Sequence, residues 1–168
     1  MPQPENAPYS PASYAKACEI LGESVCRSLG LFVIPDDFLL SVVIPVFNEE
    51  KTLSALVRAV AEVPIRKQMI LVDDCSRDGS WAIMEGIAEA YKADAFNAVT
   101  LFRHEVNMGK GAALRTGFAG ATGDVVVVQD ADLEYDPGEY PKLLKTIIEG
   151  TAAVLDAALA QSRRWQEI

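Results

Sequence analysis

Short apolar runs alternate with amphipathic stretches along most of the chain. Four runs rich in β-branched residues have the length of strands, and polar or turn-forming residues bound each of them. These predicted strands are 39–46, 69–72, 98–102 and 124–129. The stretches between and after them carry apolar residues at helical spacing, which predicts helices at 52–63, 80–91 and 109–121 and a helix that begins at Pro137. The pattern therefore predicts four β-α units in succession.

The predicted strands are apolar almost throughout rather than alternately apolar and polar. Strands of this kind, separated by helices, form parallel sheets that helices cover on both faces. We therefore predict an α/β fold with a mostly parallel sheet. Ligands of such sheets bind beyond the carboxyl ends of the strands. Candidate functional residues are accordingly sought in loops 45–50, 73–78, 103–110 and 130–136.

The first 38 residues precede this pattern. Residues 1–10 are polar and rich in proline, and we predict a disordered leader there. Ser10 followed by Pro11 is typical of a helix start, and apolar residues continue at helical spacing until Gly30. One amphipathic helix is therefore expected in this segment.

Composition narrows the functional classes. The chain has 168 residues, half of them hydrophobic, which suits one domain with a sizeable core. Its net charge of −9 argues against nucleic-acid binding, and its three cysteines have no disulfide or zinc-site spacing. No apolar run approaches the roughly 18 residues of a membrane span. We expect a cytoplasmic protein; docking at the cytoplasmic face of a membrane stays open, and the oligomeric state is not indicated.

Acidic residues follow three of the four predicted strands. They are Glu49, Glu50, Asp73, Asp74, Asp130, Asp132 and Glu134. Carboxylates clustered at one edge repel one another unless a cation lies among them. Asp130 and Asp132 face the same side of an extended chain, and one or two such carboxylates with phosphate oxygens suit Mg²⁺ or Mn²⁺. A metal site is therefore predicted, with a solvated turn and helix caps as the alternative.

The loop after the third predicted strand supplies positive charge. It contains Gly109, Lys110 and Gly111, and the helix that follows carries Arg115. A glycine-rich helix start with a lysine suits a phosphate group, although the spacing fits neither a Walker A loop nor a dinucleotide fingerprint. The alternative is that the two glycines only form a tight turn. For His104, the only histidine, a surface or capping role is favoured over catalysis.

Five segments occur in a fixed order along the chain. They are 41–50, 72–79, 107–112, 121–124 and 129–137. Together they resemble the family 2 glycosyltransferases of the GT-A fold, in the branch that includes dolichyl-phosphate mannose synthase and bacterial polyprenyl-phosphate sugar transferases. The resemblance covers about residues 39–150. It implies a Rossmann-like nucleotide-diphospho-sugar transferase fold with helices on both faces of the sheet.

The resemblance also implies a nucleotide-sugar donor site. The residues that it assigns to the donor are Pro45, Phe47, Glu49, Val72, Asp74 and Ala131. It assigns Asp130, Asp132 and Glu134 as ligands of Mg²⁺ or Mn²⁺ beneath the diphosphate. Asp130 and Asp132 are the catalytic residues that it implies. Lys110 or Arg115 can stabilise charge on the β-phosphate.

Two positions depart from the family's usual pattern. Many relatives carry glutamine at position 134, and glycine is usual where Cys75 stands. Because a loop glycine often supplies a positive φ, Cys75 is expected to strain its turn.

The implied activity is metal-dependent, inverting transfer of a hexose from a donor of the GDP-mannose or UDP-glucose type to a polyprenyl or dolichyl phosphate. The resemblance stops near Gly150, so we expect the acceptor-binding half to be missing and residues 151–168 to form a divergent helical tail. The main alternative is a catalytically inactive module that binds nucleotide sugar and metal. A third interpretation is an aspartate-nucleophile phosphatase, which would leave Asp74 and Glu49 unexplained.

Overall fold

The structure is a computed structural model that describes residues 9–132 and 135–148. This part of the chain contains one sheet of four parallel strands, in the order β3-β2-β1-β4. The strands are β1 (Leu40–Val46), β2 (Lys67–Asp73), β3 (Asn97–Arg103) and β4 (Val125–Val128). The helices are α1 (Pro11–Leu21), α2 (Glu23–Ser28), α3 (Leu53–Glu62), α4 (Ser80–Ala90), α5 (Lys110–Ala119) and α6 (Tyr140–Ile148). A short 3₁₀ helix, Pro137–Glu139, precedes α6.

The parallel α/β architecture predicted from the apolar runs is confirmed, with strands and helices in the predicted order. The prediction of a single helix ending at Gly30 is wrong. Gly22 has a φ of +83°, ends α1 and precedes α2. The apolar spacing continues across Gly22, so the break reflects a backbone conformation that glycine adopts readily and other residues do not.

The two central strands are buried, and their side chains alternate between the two faces of the sheet. On one face, Ile44 and Leu71 join a core that includes α3, whose Leu53, Leu56, Val57 and Val60 are all buried. On the other face, Val43 and Ile70 pack with Ala113 of α5. This alternation follows from the two-residue period of a strand, and it covers the sheet on both sides as predicted.

The segment before β1 contributes to the same core. Ser10 accepts a hydrogen bond from the Ser13 backbone N–H (3.1 Å), so the predicted helix start is confirmed. Phe32 and Ile34 are buried in the cluster that contains β1, and the Ile34 N–H donates to the Tyr9 carbonyl (2.9 Å). The predicted disordered leader lies, up to Pro8, outside the described residues.

A buried lysine lies at the amino end of the sheet, opposite the loops predicted to hold the site. The Lys67 ammonium donates to the Val63 carbonyl (2.7 Å) and to Asn97 Oδ1 (2.9 Å). Burial lowers the pKa of Lys67 to about 7, and the nearby Asp94 carboxylate acts in the opposite direction. These polar partners satisfy a charged group that is otherwise costly to bury.

Helix α5 packs so close to the sheet that Gly117 has no room for a side chain. A Cβ atom at this position would overlap Val43 in β1. Gly86 in α4 is the opposite case, since nothing lies within 4 Å of a Cβ placed there. The close approach of α5 matters for function because the first turn of this helix carries Lys110.

We expect Gly117→Ala to lower the free energy of unfolding by about 1–3 kcal/mol, because an added methyl group forces α5 away from β1. Gly86→Ala is the matched control and should raise it by about 0.5–1 kcal/mol, since alanine is the better helix former. Urea unfolding followed by circular dichroism measures both changes. Equal stabilisation by the two substitutions would contradict the packing of α5.

Candidate functional site

A cleft of about 350 Å³ opens at the carboxyl edge of the sheet, where ligands of parallel sheets bind. Loops that follow β1, β2, β3 and β4 all contribute to its walls. The lining residues are Pro45, Val46, Phe47, Glu49, Asp74, Asn107, Gly109, Lys110, Ala113, Asp130, Ala131 and Asp132.

Most residues predicted for the donor and the metal meet in this cleft. The predicted residues that line it are Pro45, Phe47, Glu49, Asp74, Lys110, Asp130, Ala131 and Asp132. Val72 does not line the cleft; it is fully buried and packs with Val43, Ile70 and Ala113 beneath it. Glu134 lies outside the described residues. Arg115, predicted as an alternative to Lys110, is not among the lining residues either.

The carboxylate of Asp74 is the most heavily bonded group of the cleft. Its Oδ1 accepts from His104 Nδ1 (2.7 Å) and from the Met108 N–H (2.9 Å), and its Oδ2 accepts from the Gly109 N–H (2.7 Å). A carboxylate has about four acceptor positions, so roughly one, on Oδ2, is left for a ligand. Asp74 therefore joins the end of β2 to the loop that precedes α5.

These hydrogen bonds also determine the charge of Asp74. Burial alone would raise the pKa of this carboxyl group, and burial is the largest single influence. The N–H groups of Met108 and Gly109, together with His104, outweigh burial and hold the pKa of Asp74 below its usual range. Asp74 is therefore an ionised acceptor at neutral pH.

Of the surface or capping role expected for His104, the surface position is wrong. Its side chain is 10% exposed, and its Nε2 lies 2.9 Å from Thr116 Oγ1 in α5. Because the ionised Asp74 only accepts, we assign the Nδ1 proton to that hydrogen bond, while Nε2 shares a second hydrogen bond with the Thr116 hydroxyl. His104 thus links β2 to α5, a role that depends on partners far away in the sequence.

The neighbouring Asp73 has a different role. Its Oδ1 accepts from the Ser76 N–H (3.0 Å), and its Oδ2 forms an ion pair with Arg103 Nε (3.1 Å). The Arg103 guanidinium also lies 4.8 Å from the centroid of the Trp81 ring. Consecutive side chains of an extended segment point in opposite directions, so of this acidic pair only Asp74 lines the cleft.

Two left-handed residues shape the loops that follow β1 and β2. Asn48 has a φ of +59° and Cys75 a φ of +64°. The positive φ expected where relatives carry glycine is therefore confirmed for Cys75. The two loops also bond to each other, since the N–H groups of Asn48 and Glu49 donate to Ser76 Oγ (3.0 Å) and Ser80 Oγ (2.8 Å). These hydrogen bonds between the loops fix the backbone beside Phe47 and Glu49.

The opposite wall carries an ion pair. Lys110 Nζ lies 2.5 Å from Asp130 Oδ1, and the two side chains are 39% and 25% exposed. Asp132 lines the same wall, two residues further along. Lys110 is the first residue of α5 and comes directly after Gly109. Because the Gly109 N–H donates to Asp74, this hydrogen bond also positions the backbone of Lys110.

The residues present fit a divalent metal that binds together with a diphosphate. Within residues 9–132 and 135–148, no group of three or more His, Cys, Asp and Glu side chains is arranged to hold a metal on its own. Mg²⁺, however, is commonly held by one or two carboxylates plus substrate phosphates. Asp130 and Asp132 provide the carboxylates, and the Lys110 ammonium already shows that a cation fits beside Asp130.

The buried amide of Gln129 shapes the loop that carries Asp130, a role that no pattern in the sequence indicates. Gln129 Oε1 accepts from the Tyr140 hydroxyl (2.7 Å), and Gln129 Nε2 donates to the carbonyls of Asp130 (3.2 Å) and Tyr135 (3.1 Å). Burial raises the pKa of Tyr140, so its hydroxyl stays a neutral donor. Gln129 therefore joins both sides of the loop to α6.

None of the helices in the described part of the chain is both long enough and apolar enough to cross a membrane.

Comparison with solved structures identifies the fold class of this chain. The fold is that of GT-A glycosyltransferases, as solved structures show. S. aureus TarS aligns with a TM-score of 0.54 and 26% identity over 67% of this chain and 20% of TarS. S. aureus TarS 1–349 in complex with UDP aligns with a TM-score of 0.52 and 25% identity. The alignment covers 66% of this chain and 32% of the TarS 1–349 chain.

A third structure supports the fold alone, because its sequence identity is low. The mannosyltransferase PcManGT from Pyrobaculum calidifontis, in complex with GDP-Man and Mn²⁺, aligns with a TM-score of 0.55 and 23% identity. The alignment covers 84% of this chain and 42% of that protein.

The family follows from sequence. The family model described as glycosyl transferase family 2 matches residues 41–167, and the chain belongs to this family. The resemblance drawn from the five segments is thereby confirmed, and the phosphatase interpretation is set aside.

Named relatives are similar over the same region. The undecaprenyl-phosphate 4-deoxy-4-formamido-L-arabinose transferase of Pseudomonas syringae pv. syringae is 44% identical over 115 residues, 66% of this chain and 33% of that protein. The Aeromonas hydrophila protein of the same name is 40% identical over 116 residues, 67% of this chain and 34% of that protein. The chain spans about a third of the length of the curated relatives that it matches.

We expect His104→Ala to lower the free energy of unfolding by about 1–3 kcal/mol, because it removes a donor from the buried Asp74 carboxylate. Thr116→Val is the matched control. It removes only the outer hydrogen bond of the histidine and should cost about 0.5–1.5 kcal/mol. Chemical unfolding of the three proteins at neutral pH measures the difference. The linking role of His104 is disproved if the alanine variant is as stable as the parent protein.

Proposed function

We propose that the cleft binds a nucleotide-diphosphate sugar and that the chain takes part in transferring the sugar to a polyprenyl phosphate. One observation carries the proposal: Asp74, Lys110 and the Asp130–Asp132 pair line one cleft at the carboxyl edge of a GT-A sheet. The names of the relatives, undecaprenyl-phosphate sugar transferases, support the class of acceptor.

The nucleoside belongs at the Asp74 end of the cleft. Phe47 is 45% exposed there and offers an aromatic face on which a base can stack. The acceptor position left on Asp74 Oδ2 can take one hydrogen bond from the base or the ribose. The Glu49 carboxylate, which accepts from Thr52 Oγ1 (2.6 Å), adds a second oriented acceptor beside Pro45.

The diphosphate belongs at the Lys110 end. Asp130 and Asp132, with Glu134 as a proposed third ligand, would hold Mg²⁺ or Mn²⁺. A divalent ion supplies positive charge that stabilises the leaving nucleoside diphosphate. Lys110 adds a positive charge on a fixed backbone, and Ala131, small and 4% exposed, leaves room for the donor between the two acids.

A phosphate acceptor suits this set of residues. The second pKa of a phosphate monoester is about 6, so the acceptor oxygen is largely ionised at pH 7 and attacks without a general base. Direct attack on the donor carbon displaces the nucleoside diphosphate with inversion. We propose a donor of the GDP-mannose or UDP-glucose type and a reaction at the cytoplasmic face of the membrane, where a lipid-linked acceptor would be reached.

A second candidate function is nucleotide-sugar binding without transfer. The observation in its favour is that the residues lining the cleft are those proposed for a donor and a metal. The described residues supply a donor cleft, and transfer also requires that the acceptor be positioned beside the donor carbon. The two candidates differ in turnover and agree on donor binding.

Calorimetric titration with UDP and GDP, with and without Mn²⁺, tests donor binding. We expect one of the two to bind, and Mn²⁺ to strengthen binding by about tenfold or more, because Asp130 and Asp132 would hold the ion and its charge would attract the diphosphate. Asp132→Asn should abolish this dependence on Mn²⁺. Glu105→Gln removes an exposed charge outside the cleft lining and should leave it unchanged.

Absence of nucleotide binding under every condition would contradict the proposed function. Binding by the Asp132→Asn variant with unchanged dependence on Mn²⁺ would contradict the ligand assignment. A transfer assay with undecaprenyl phosphate then separates the two candidates, since turnover supports the transferase and binding without turnover supports the binding module.

A further inference from the structure

The ion pair between Lys110 and Asp130 places a positive charge of the protein itself beside a proposed metal ligand. The two groups come from different elements, the first turn of α5 and the loop after β4. Two carboxylates, Asp130 and Asp132, line this wall, and like charges so close in the chain need a cation between or beside them. In the structure the ammonium of Lys110 meets that need at Asp130.

Lys110 has an anchored backbone and an adaptable side chain. The preceding Gly109 has a φ of +84°, and its N–H is fixed on Asp74 Oδ2 (2.7 Å). The lysine side chain is 39% exposed and ends in a compact charge on a flexible stem. Its ammonium can therefore change partners within the cleft without movement of α5.

We propose that Lys110 is an internal counter-cation: its ammonium pairs with Asp130 until a divalent ion and the donor bind, and it then exchanges Asp130 for the donor diphosphate. This inference rests on the proposed function. The exchange conserves ion pairing throughout: Asp130 passes from an ammonium to a metal ion, while Lys110 passes from a carboxylate to a phosphate. Asp130 therefore keeps a cationic partner at both stages.

The exchange makes metal and nucleotide depend on each other. A tethered ammonium competes with a free ion for Asp130, so the metal alone binds weakly. A bound diphosphate attracts Lys110 away and removes the competitor, so nucleotide strengthens metal binding, and by linkage metal strengthens nucleotide binding by the same factor. Lys110 thus lowers the affinity for the metal ion in the absence of the nucleotide and no longer lowers it when the diphosphate is bound.

Removing the ammonium should therefore change two affinities in opposite directions. We expect Lys110→Met to bind Mn²⁺ alone about tenfold more tightly than the parent protein, and to bind the nucleotide at saturating Mn²⁺ about tenfold less tightly. Electron paramagnetic resonance of free Mn²⁺ measures the first affinity without nucleotide or turnover. Calorimetry measures the second.

The matched control is Lys51→Met, which removes one positive charge from an exposed position after β1 outside the cleft lining. It should change each affinity less than twofold, as expected for a screened surface charge. Lys110→Gln serves as a second, polar replacement should the methionine variant fold poorly. The parent protein gives a further test, because its affinity for Mn²⁺ should rise when the nucleotide is present.

The inference is overturned if removing the Lys110 ammonium leaves the affinity for Mn²⁺ alone unchanged or weakens it. It is equally overturned if Lys51→Met tightens Mn²⁺ binding as much, because the effect would then be one of net charge. These outcomes are distinct from failure of the proposed function, which is seen as absence of nucleotide binding by the parent protein.

Discussion

The buried carboxylate of Asp74 is the interaction on which the site depends. It joins three segments that are distant in the sequence: the end of β2, the loop after β3 through His104, and the start of α5 through Met108 and Gly109. A buried charge with too few partners would be costly, and here three donors meet it. The position of Lys110 follows directly, because this residue comes immediately after Gly109.

The rest of the cleft follows from how the sheet is covered. Parallel strands bring all their carboxyl ends to one edge, so the loops after β1, β2, β3 and β4 share a single space. The close packing of Gly117 on Val43 holds α5 against β1, and Gln129 with Tyr140 holds the loop after β4. The cleft is thus formed by several loops, and different buried contacts hold them in place.

The sequence was informative wherever the physical cause is local. Apolar runs predicted the strands, and the rule for parallel sheets predicted the edge at which Glu49, Asp74, Asp130 and Asp132 meet. The resemblance of the five segments predicted the family. A positive φ was expected at Cys75 because glycine is usual at this position in the family's pattern.

Features that depend on distant partners were not predictable. The burial of His104 requires Asp74, 30 residues away, and the burial of Lys67 requires Asn97, also 30 residues away. Val72 belongs to the same motif as Asp74 and lies on the same face of the sheet, but it is buried because Ala113 of α5 packs over it. Gly22 interrupts a continuous helical pattern because of its backbone conformation, which the spacing of apolar residues does not record.

In the proposed function, the carboxylates of the cleft and the donor diphosphate would share one divalent ion. Anomalous diffraction from crystals of the chain grown with Mn²⁺ and the tighter-binding nucleotide, UDP or GDP, tests this most directly. We expect a manganese peak at the carboxylates of Asp130 and Asp132 and the diphosphate beside it. We also expect Lys110 Nζ to contact a phosphate oxygen instead of Asp130. A nucleotide bound elsewhere, or one bound in the cleft with manganese away from both aspartates, would contradict it.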